Sequence, residues 1–362
     1  MGIYKNLTLV YGILPYLNNV ENKWSLIISM VLGSRNWKVK MNNISLNFSS
    51  DAYEKLVYFL GLIEFAFSYR ISNEIITLSL DGQNEFRINL INQSYEEENL
   101  IELLFKASKK GANFITNESG NTLREKEIRI YEKNGKKFVE TSNEIKFFMD
   151  SIHPSNTIVE TFIEKIHLVN SKENLEGKII LDIGAECGDT ALFFASLGAQ
   201  VFSFEPIKDN FNALKKNLEL NPNLSKRITA VNAGVGQDGD LKFFKDPKIP
   251  NYGASFVHNK RGEKAIIETV EGISLDTVLK KYDIEQVELM KMDCKGCEFY
   301  LTESALSKIN RVKIEFSGFH KTKSIQDVLD KLKKTGFKYV VYRNSETRSQ
   351  SNSRIGNIYG EK

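Results

Sequence analysis

The stretch KIILDIGAECGDT, Lys178 to Thr190, decides the fold. A short apolar run stops at Asp182, Gly184 and Gly188 bracket three residues, and Asp189 opens a helix-like segment. Strand, tight turn and helix start in that order are a common way to build a nucleotide-binding site. The pattern continues through the second half of the chain. Strands are predicted at Lys178–Ile183, Gln200–Glu205, Ile228–Ala233, Val287–Asp293, Arg311–Phe316 and Lys338–Tyr342. Helices fall between them, near Thr190–Leu197, Asp209–Leu220, Leu275–Tyr282, Glu298–Lys308 and Ile325–Thr335. Short Val- and Ile-rich strands alternating with helices argue for a mostly parallel sheet covered on both faces. Arg354–Tyr359 is expected as a last strand, in an antiparallel hairpin at the sheet edge.

Ligands of such sheets bind at the carboxyl ends of the strands. Here nearly every strand end is polar: Asp182 and Gly184, then Glu205, Asn232, Asp293 and Glu315. Glu205 lies roughly twenty residues beyond the glycine turn, where a carboxylate can hold the two hydroxyls of an adenosine ribose. That placement suits both NAD and S-adenosylmethionine. The turn separates them. A pyrophosphate needs backbone N–H groups and a helix N-terminus, whereas Asp182, Glu186 and Asp189 would repel it. Three carboxylates suit a ligand carrying an amino group and a sulfonium.

At this point the sequence resembles the FkbM family of S-adenosylmethionine-dependent methyltransferases. The residues that carry the resemblance are LDIGAECGDTALFFASLGAQVFSFEP, NFNALKKNLELN, VNAGVG and LMKMDCKGCE. The resemblance runs from about Lys178 to Glu315, with Ile158–Ile166 as a lead-in. It implies a Rossmann-like sheet and S-adenosylmethionine as cofactor. It also implies that Asp182, Gly184, Ala185, Glu186, Gly188, Asp189 and Thr190 form the cofactor turn. Glu205 and Pro206 would serve the ribose, and Asn232 and Ala233 the adenine. Asp293, Gly296 and Glu298 would line the methyl-acceptor side. Two residues depart from the family pattern: Glu186 stands where Asn is usual, and Lys295 where Glu is usual.

Methyl transfer to a hydroxyl needs in-line positioning and a group that takes the hydroxyl proton. Asp293 is the first candidate, His320 the second, with Glu298 beside them. No Asn-, Asp- or Ser-Pro-Pro-aromatic motif follows the fourth strand, and no cysteine follows a proline. Exocyclic base nitrogens and cytosine carbon therefore give way to an oxygen acceptor, which the resemblance places on a saccharide, a lipid or another small molecule. Cys294 and Cys297 have metal-ligand spacing, with Cys187 and His320 as further donors. The bland reading makes these cysteines small packing residues, and no metal is expected.

Residues 1–150 read as a separate α+β domain, with hairpins around Asp81-Gly82 and Asn134-Gly135 and a helix over Tyr95–Gly111, where Gly111 marks the end. The Rossmann-like domain takes 151–362. The first domain is expected to shape the acceptor site or an oligomer interface. Residues 1–150 carry 18 basic and 18 acidic side chains and the remainder 31 and 28, so neither part is a basic nucleic-acid module. Three cysteines and no apolar run of membrane-spanning length point to a cytoplasmic protein. Two other readings stay open. One is an RNA or protein methyltransferase docked through its first domain; the other is a non-catalytic binding protein that keeps the fold.

Overall fold

A computed structural model describes residues 2–42, 44–72, 75–89, 94–118, 120, 122–167, 173–245, 265–294, 296–317, 324–343 and 355–362. The chain divides into two compact units, Met1–Glu164 and Lys165–Lys362.

The first unit begins with two helices, α1 (Gly2–Ile13) and α2 (Lys23–Val31), and a two-stranded ribbon, β1 (Asn36–Met41) with β2 (Ile44–Ser49). Helix α3 (Tyr53–Phe65) leads into an antiparallel sheet of β3 (Ser68–Ser72), β4 (Ile75–Ser79) and β5 (Glu85–Asn89). The β4–β5 turn is held by Asp81, whose carboxylate accepts the N–H groups of Gln83 and Asn84 at 2.8 Å. Helix α4 (Tyr95–Ser108) starts with a capping box. The Ser94 hydroxyl accepts from the Glu97 N–H, and the Glu97 carboxylate accepts from the Ser94 N–H. A second sheet holds β6 (Asn113–Ile115), β7 (Glu127–Lys133), β8 (Lys136–Thr141) and β9 (Lys146–Phe148). Asn134 and Gly135 both adopt positive φ, 52° and 71°, which is the hairpin turn their sequence predicts. The helix Ser155–Ile163 is of the wide π type, and its Phe162 packs 5.7 Å from the Phe147 ring. The sequence groups this helix with the second domain; in the structure the division falls after Glu164.

The second unit is a seven-stranded sheet. Its strands are β10 (Ile179–Ile183), β11 (Gln200–Phe204), β12 (Ile228–Val231), β16 (Val287–Met292), β17 (Ile309–Ser317), β18 (Lys338–Arg343) and β19 (Ile355–Glu361). They lie in the order β12-β11-β10-β16-β17-β19-β18. The first five are parallel, and β19 is antiparallel to both of its neighbours. This is the Rossmann-like α/β sheet with an antiparallel end. The last strand does not close the edge: β18 does, with β19 set inside it.

Helices α5 (Asp189–Ser196), α6 (Lys208–Leu220) and α7 (Pro222–Ser225) follow the first strands, and α8 (Leu275–Lys281), α9 (Glu303–Ser307) and α10 (Ile325–Lys334) the later ones. The expected helix Glu298–Lys308 is broken. A 3-10 turn covers Cys297–Tyr300, Leu301 is extended at ψ 134°, and the Thr302 hydroxyl caps α9 by accepting from the Ala305 N–H. A small sheet of β13 (Gly234–Gly236), β14 (Gly239–Lys245) and β15 (Ala265–Ser274) lies between the third predicted strand and the helix predicted from Leu275, where no strand is predicted. Leu241, Phe243 and Val270 of this sheet bury a small satellite core with Ile207.

Register sorts the large sheet into two unlike faces. Leu181 and Ile183 pair with Met290 and Met292, and these with Val312 and Ile314. That face packs on Val278, Leu306 and Val328 of α8, α9 and α10. The other face carries a polar row in register: Ser203, Asp182, Lys291, Lys313 and Tyr359. The first four of these are buried.

Candidate active site

The site is built where β10 ends beside β11 and β16, the point from which the sheet grows in both directions. Gly184 and Ala185 both donate backbone N–H groups to the Phe204 carbonyl, at 3.0 and 3.1 Å. Asp293 donates its own N–H to the Ile183 carbonyl at 2.8 Å. Gly184 sits at φ +79°, and a Cβ there would run into the Asp293 carbonyl oxygen. Only glycine allows the two strand ends this close. Gly188, at φ +86°, opens α5.

Behind this turn stands a buried ion pair. Lys291 Nζ is 3.2 Å from Asp182 Oδ1 and donates to the Gly184 carbonyl at 2.8 Å. Thr190 donates its hydroxyl to Asp182 Oδ2 at 2.8 Å. Burial alone would depress the Lys291 ammonium, but Asp182, Asp293 and Asp189 outweigh it and hold it above the usual lysine value. Sequence reasoning missed Lys291. The signal was a cation inside an otherwise apolar parallel strand, LMKM, where both faces are covered. Lys313 is the same anomaly one strand further on. Its Nζ lies 2.8 Å from His167 Nδ1, and burial, with Lys313 and Lys291 near, keeps His167 neutral well below its usual pKa.

The acids gather in front of the turn. Glu205 accepts the N–H of Glu186 at Oε2 and that of Ile207 at Oε1, each at 2.9 Å. Asn232 braces the same segment by donating to the Glu205 and Pro206 carbonyls at 2.8 and 2.9 Å, and Ala233 beside it is buried. Burial pushes Glu205 up to about 7, against its hydrogen bonds. Glu186 has positive φ, 48°, and burial of its carboxyl beside Asp189, Glu205 and Asp293 pushes it up to about 8. A protonated Glu186 is uncharged, as an asparagine in its place would be. Asp189, in the first turn of α5, is buried as well.

The expected acceptor side is only partly assembled from described residues. Asp293 is exposed at the end of β16. Glu298 is buried, and its carboxylate accepts the Gly296 N–H at 2.6 Å, so it clasps its own loop. His320 and Lys295 lie outside the described residues. Cys294 and Cys297 are joined as a disulfide, while Cys187 is buried and lies outside that bridge. Donor atoms of Cys294, Cys297 and Glu298 lie within 4.8 Å of one another, yet disulfide sulfurs are not the thiolates a metal needs. No described helix is long and apolar enough to cross a membrane.

Removing the charge of Glu186 tests the cluster. A carboxyl whose folded pKa exceeds its usual value binds more protons folded than unfolded, so stability falls as pH rises from about 4.5 to about 8. Glu186→Gln has no proton to lose. Its unfolding free energy is expected to exceed that of the wild type by about 4 kcal/mol more at pH 8 than at pH 4.5. Urea melts across that range check this, and parallel curves would show an ordinary carboxylate.

Residues 182–339 match the family model described as Methyltransferase FkbM domain. A curated relative, the hexuronic acid methyltransferase AglP of Haloferax volcanii, is 25% identical over 166 residues, covering 45% of this chain and 65% of the relative. The chain thus spans just under two thirds of that relative's length. Among solved structures, the FkbM methyltransferase of Methylobacillus flagellatus KT is 15% identical with a TM-score of 0.35, covering 52% of this chain and 45% of the other. TYW2 of M. jannaschii, solved with AdoMet, is 11% identical with a TM-score of 0.32, covering 69% and 95%. The strand-end acids around Gly184 thus lie within the stretch, residues 182–339, that matches the Methyltransferase FkbM domain model.

Proposed function

We propose that the second unit binds S-adenosylmethionine and methylates a hydroxyl of a saccharide-type acceptor. The observation that carries this reading is the convergence of Asp182, Glu186, Asp189, Glu205 and Asp293 on one glycine turn braced by Lys291. The donor set fits the cofactor. Acidic side chains suit its amino group and sulfonium, and Glu205 keeps acceptor capacity for ribose hydroxyls beyond the Glu186 and Ile207 N–H groups and the Asn210 amide it already accepts. When bound, the cofactor supplies a methyl group on a positively charged sulfur. Asp293, exposed at the strand end, takes the role of accepting the proton that the acceptor hydroxyl gives up. Glu298 and the Cys294–Cys297 bridge hold the loop that follows it. Similarity to the hexuronic acid methyltransferase supports a sugar as acceptor.

Calorimetric titration with S-adenosylmethionine, S-adenosylhomocysteine and NAD in parallel tests the cofactor. Micromolar binding of the first two and none of NAD is expected. Silence from both sulfur ligands overturns the proposal. Methyl transfer to uronic-acid oligosaccharides then tests the acceptor, and transfer only to RNA or protein would replace it.

A further inference from the structure

The first unit exposes a row of large apolar side chains that its own core does not use. On α2, Leu26 and Met30 are each 1% exposed and face inward. Trp24, Ile28 and Leu32, four residues apart, share the opposite side and are 70%, 58% and 79% exposed. On α1, Tyr4 and Tyr11 are exposed as well, at 82% and 72%. The Asn6 amide donates to the Val31 carbonyl and ties α1 to the end of α2. A helix that is apolar on both sides is normally covered on both sides.

Charge identifies what covers it. Residues 1–50 hold five cations, Lys5, Lys23, Arg35, Lys38 and Lys40, against one acid, Glu21, whereas residues 51–150 hold thirteen against seventeen. The fold brings four of these cations, Lys23, Arg35, Lys38 and Lys40, to the apolar row. The Asn22 amide donates to the Lys38 carbonyl and its oxygen accepts the Lys40 N–H, each at 2.8 Å. This clasp sets β1 against the start of α2, beside Lys23 and Trp24. Strand β1 buries Trp37, Val39 and Met41 and turns Lys38 and Lys40 outward. Arg35 follows the other end of the row and is also exposed. The apolar row therefore has exposed cations at both ends.

We propose that this face docks the protein on an anionic lipid surface. Trp24, Ile28 and Leu32 enter the boundary between headgroups and acyl chains, while Lys23, Arg35, Lys38 and Lys40 lie over the phosphates. A tryptophan with a polar ring nitrogen on an apolar body suits that boundary. A second copy of the chain fits less well, because a two-fold contact on this face sets the same four cations against one another. The inference does not depend on the proposed methyl transfer.

Co-sedimentation of the full chain with vesicles tests it. Binding is expected to vesicles of phosphatidylcholine mixed with phosphatidylglycerol, to weaken as salt is added, and to be much weaker on phosphatidylcholine alone. The Trp24→Ser, Leu32→Ser double variant is expected to lose roughly tenfold or more in affinity. Lys38→Glu, Lys40→Glu is expected to lose a similar factor. Both variants should keep the wild-type melting temperature, since all four side chains are exposed. Absence of binding to the mixed vesicles overturns the proposal. So does full binding by the serine variant, which would reduce the surface to a polyanion site. A dimer in light scattering that the serine variant abolishes, without vesicle binding, would assign the face to a second copy.

Discussion

Lys291→Met is expected to lower the unfolding free energy by about 3–5 kcal/mol. The side chain of Asp182 is wholly buried, and its partners are the Lys291 ammonium at 3.2 Å and the Thr190 hydroxyl. Removing the ammonium strands a carboxylate in a dry strand end and takes the donor from the Gly184 carbonyl. Desolvation then has nothing to offset it. The loss should exceed that of most core truncations that leave no charge behind, and urea unfolding at neutral pH measures it. Asp182→Asn combined with Lys291→Met removes the stranded charge, so the double variant should be more stable than Lys291→Met alone. Equal stability of the two would mean that the pair contributes nothing by being a pair.

Glu205→Ala is expected to weaken S-adenosylmethionine binding by about a hundredfold or more, the worth of two charge-assisted hydrogen bonds to ribose hydroxyls. Its effect on the unliganded protein should be small by comparison. The variant frees the Glu186 and Ile207 N–H groups, but it also removes a carboxyl that burial holds at about 7. These changes oppose each other at pH 8. Titration calorimetry on a variant shown by its melting curve to be folded separates loss of binding from loss of structure. Unchanged affinity would remove Glu205 from the cofactor's contacts and, with it, the reading of the strand-end acids as a cofactor site.

The second unit was legible because parallel strands buried on both faces are written as short apolar runs, and each ends in a polar residue that stays visible in sequence. Asp182, Gly184, Glu205 and Asp293 stand out in that way, and the structure brings them around one turn. Lys291 and Lys313 did not stand out. A lysine within a strand reads as an exception until register shows that one lies beside Asp182 and the other within reach of His167. The elevated carboxyls of Glu186 and Glu205 are likewise a product of burial, with Asp189, Glu205 and Asp293 adding to it at Glu186, and spacing along the chain does not encode either. The β13–β15 sheet was missed for a different reason. Its parallel pair is only three residues long, and its hairpin partners are separated by about twenty residues, well beyond the usual hairpin loop.

The placement of β19 bears on the order in which the sheet can be completed during synthesis. Strand β18 precedes β19 in the chain, yet among the described residues its only partner in the sheet is β19, and β17 waits for the same strand. As the chain leaves the ribosome, β10, β11, β12, β16 and β17 can pair, while β18 remains a strand without a ladder. Tyr359, on β19, donates its hydroxyl to the Ile166 carbonyl at the start of this unit. The arrival of one late segment therefore joins the far edge of the sheet to its first residues. Until then the nascent unit exposes an open strand edge, the state most prone to pair with another chain.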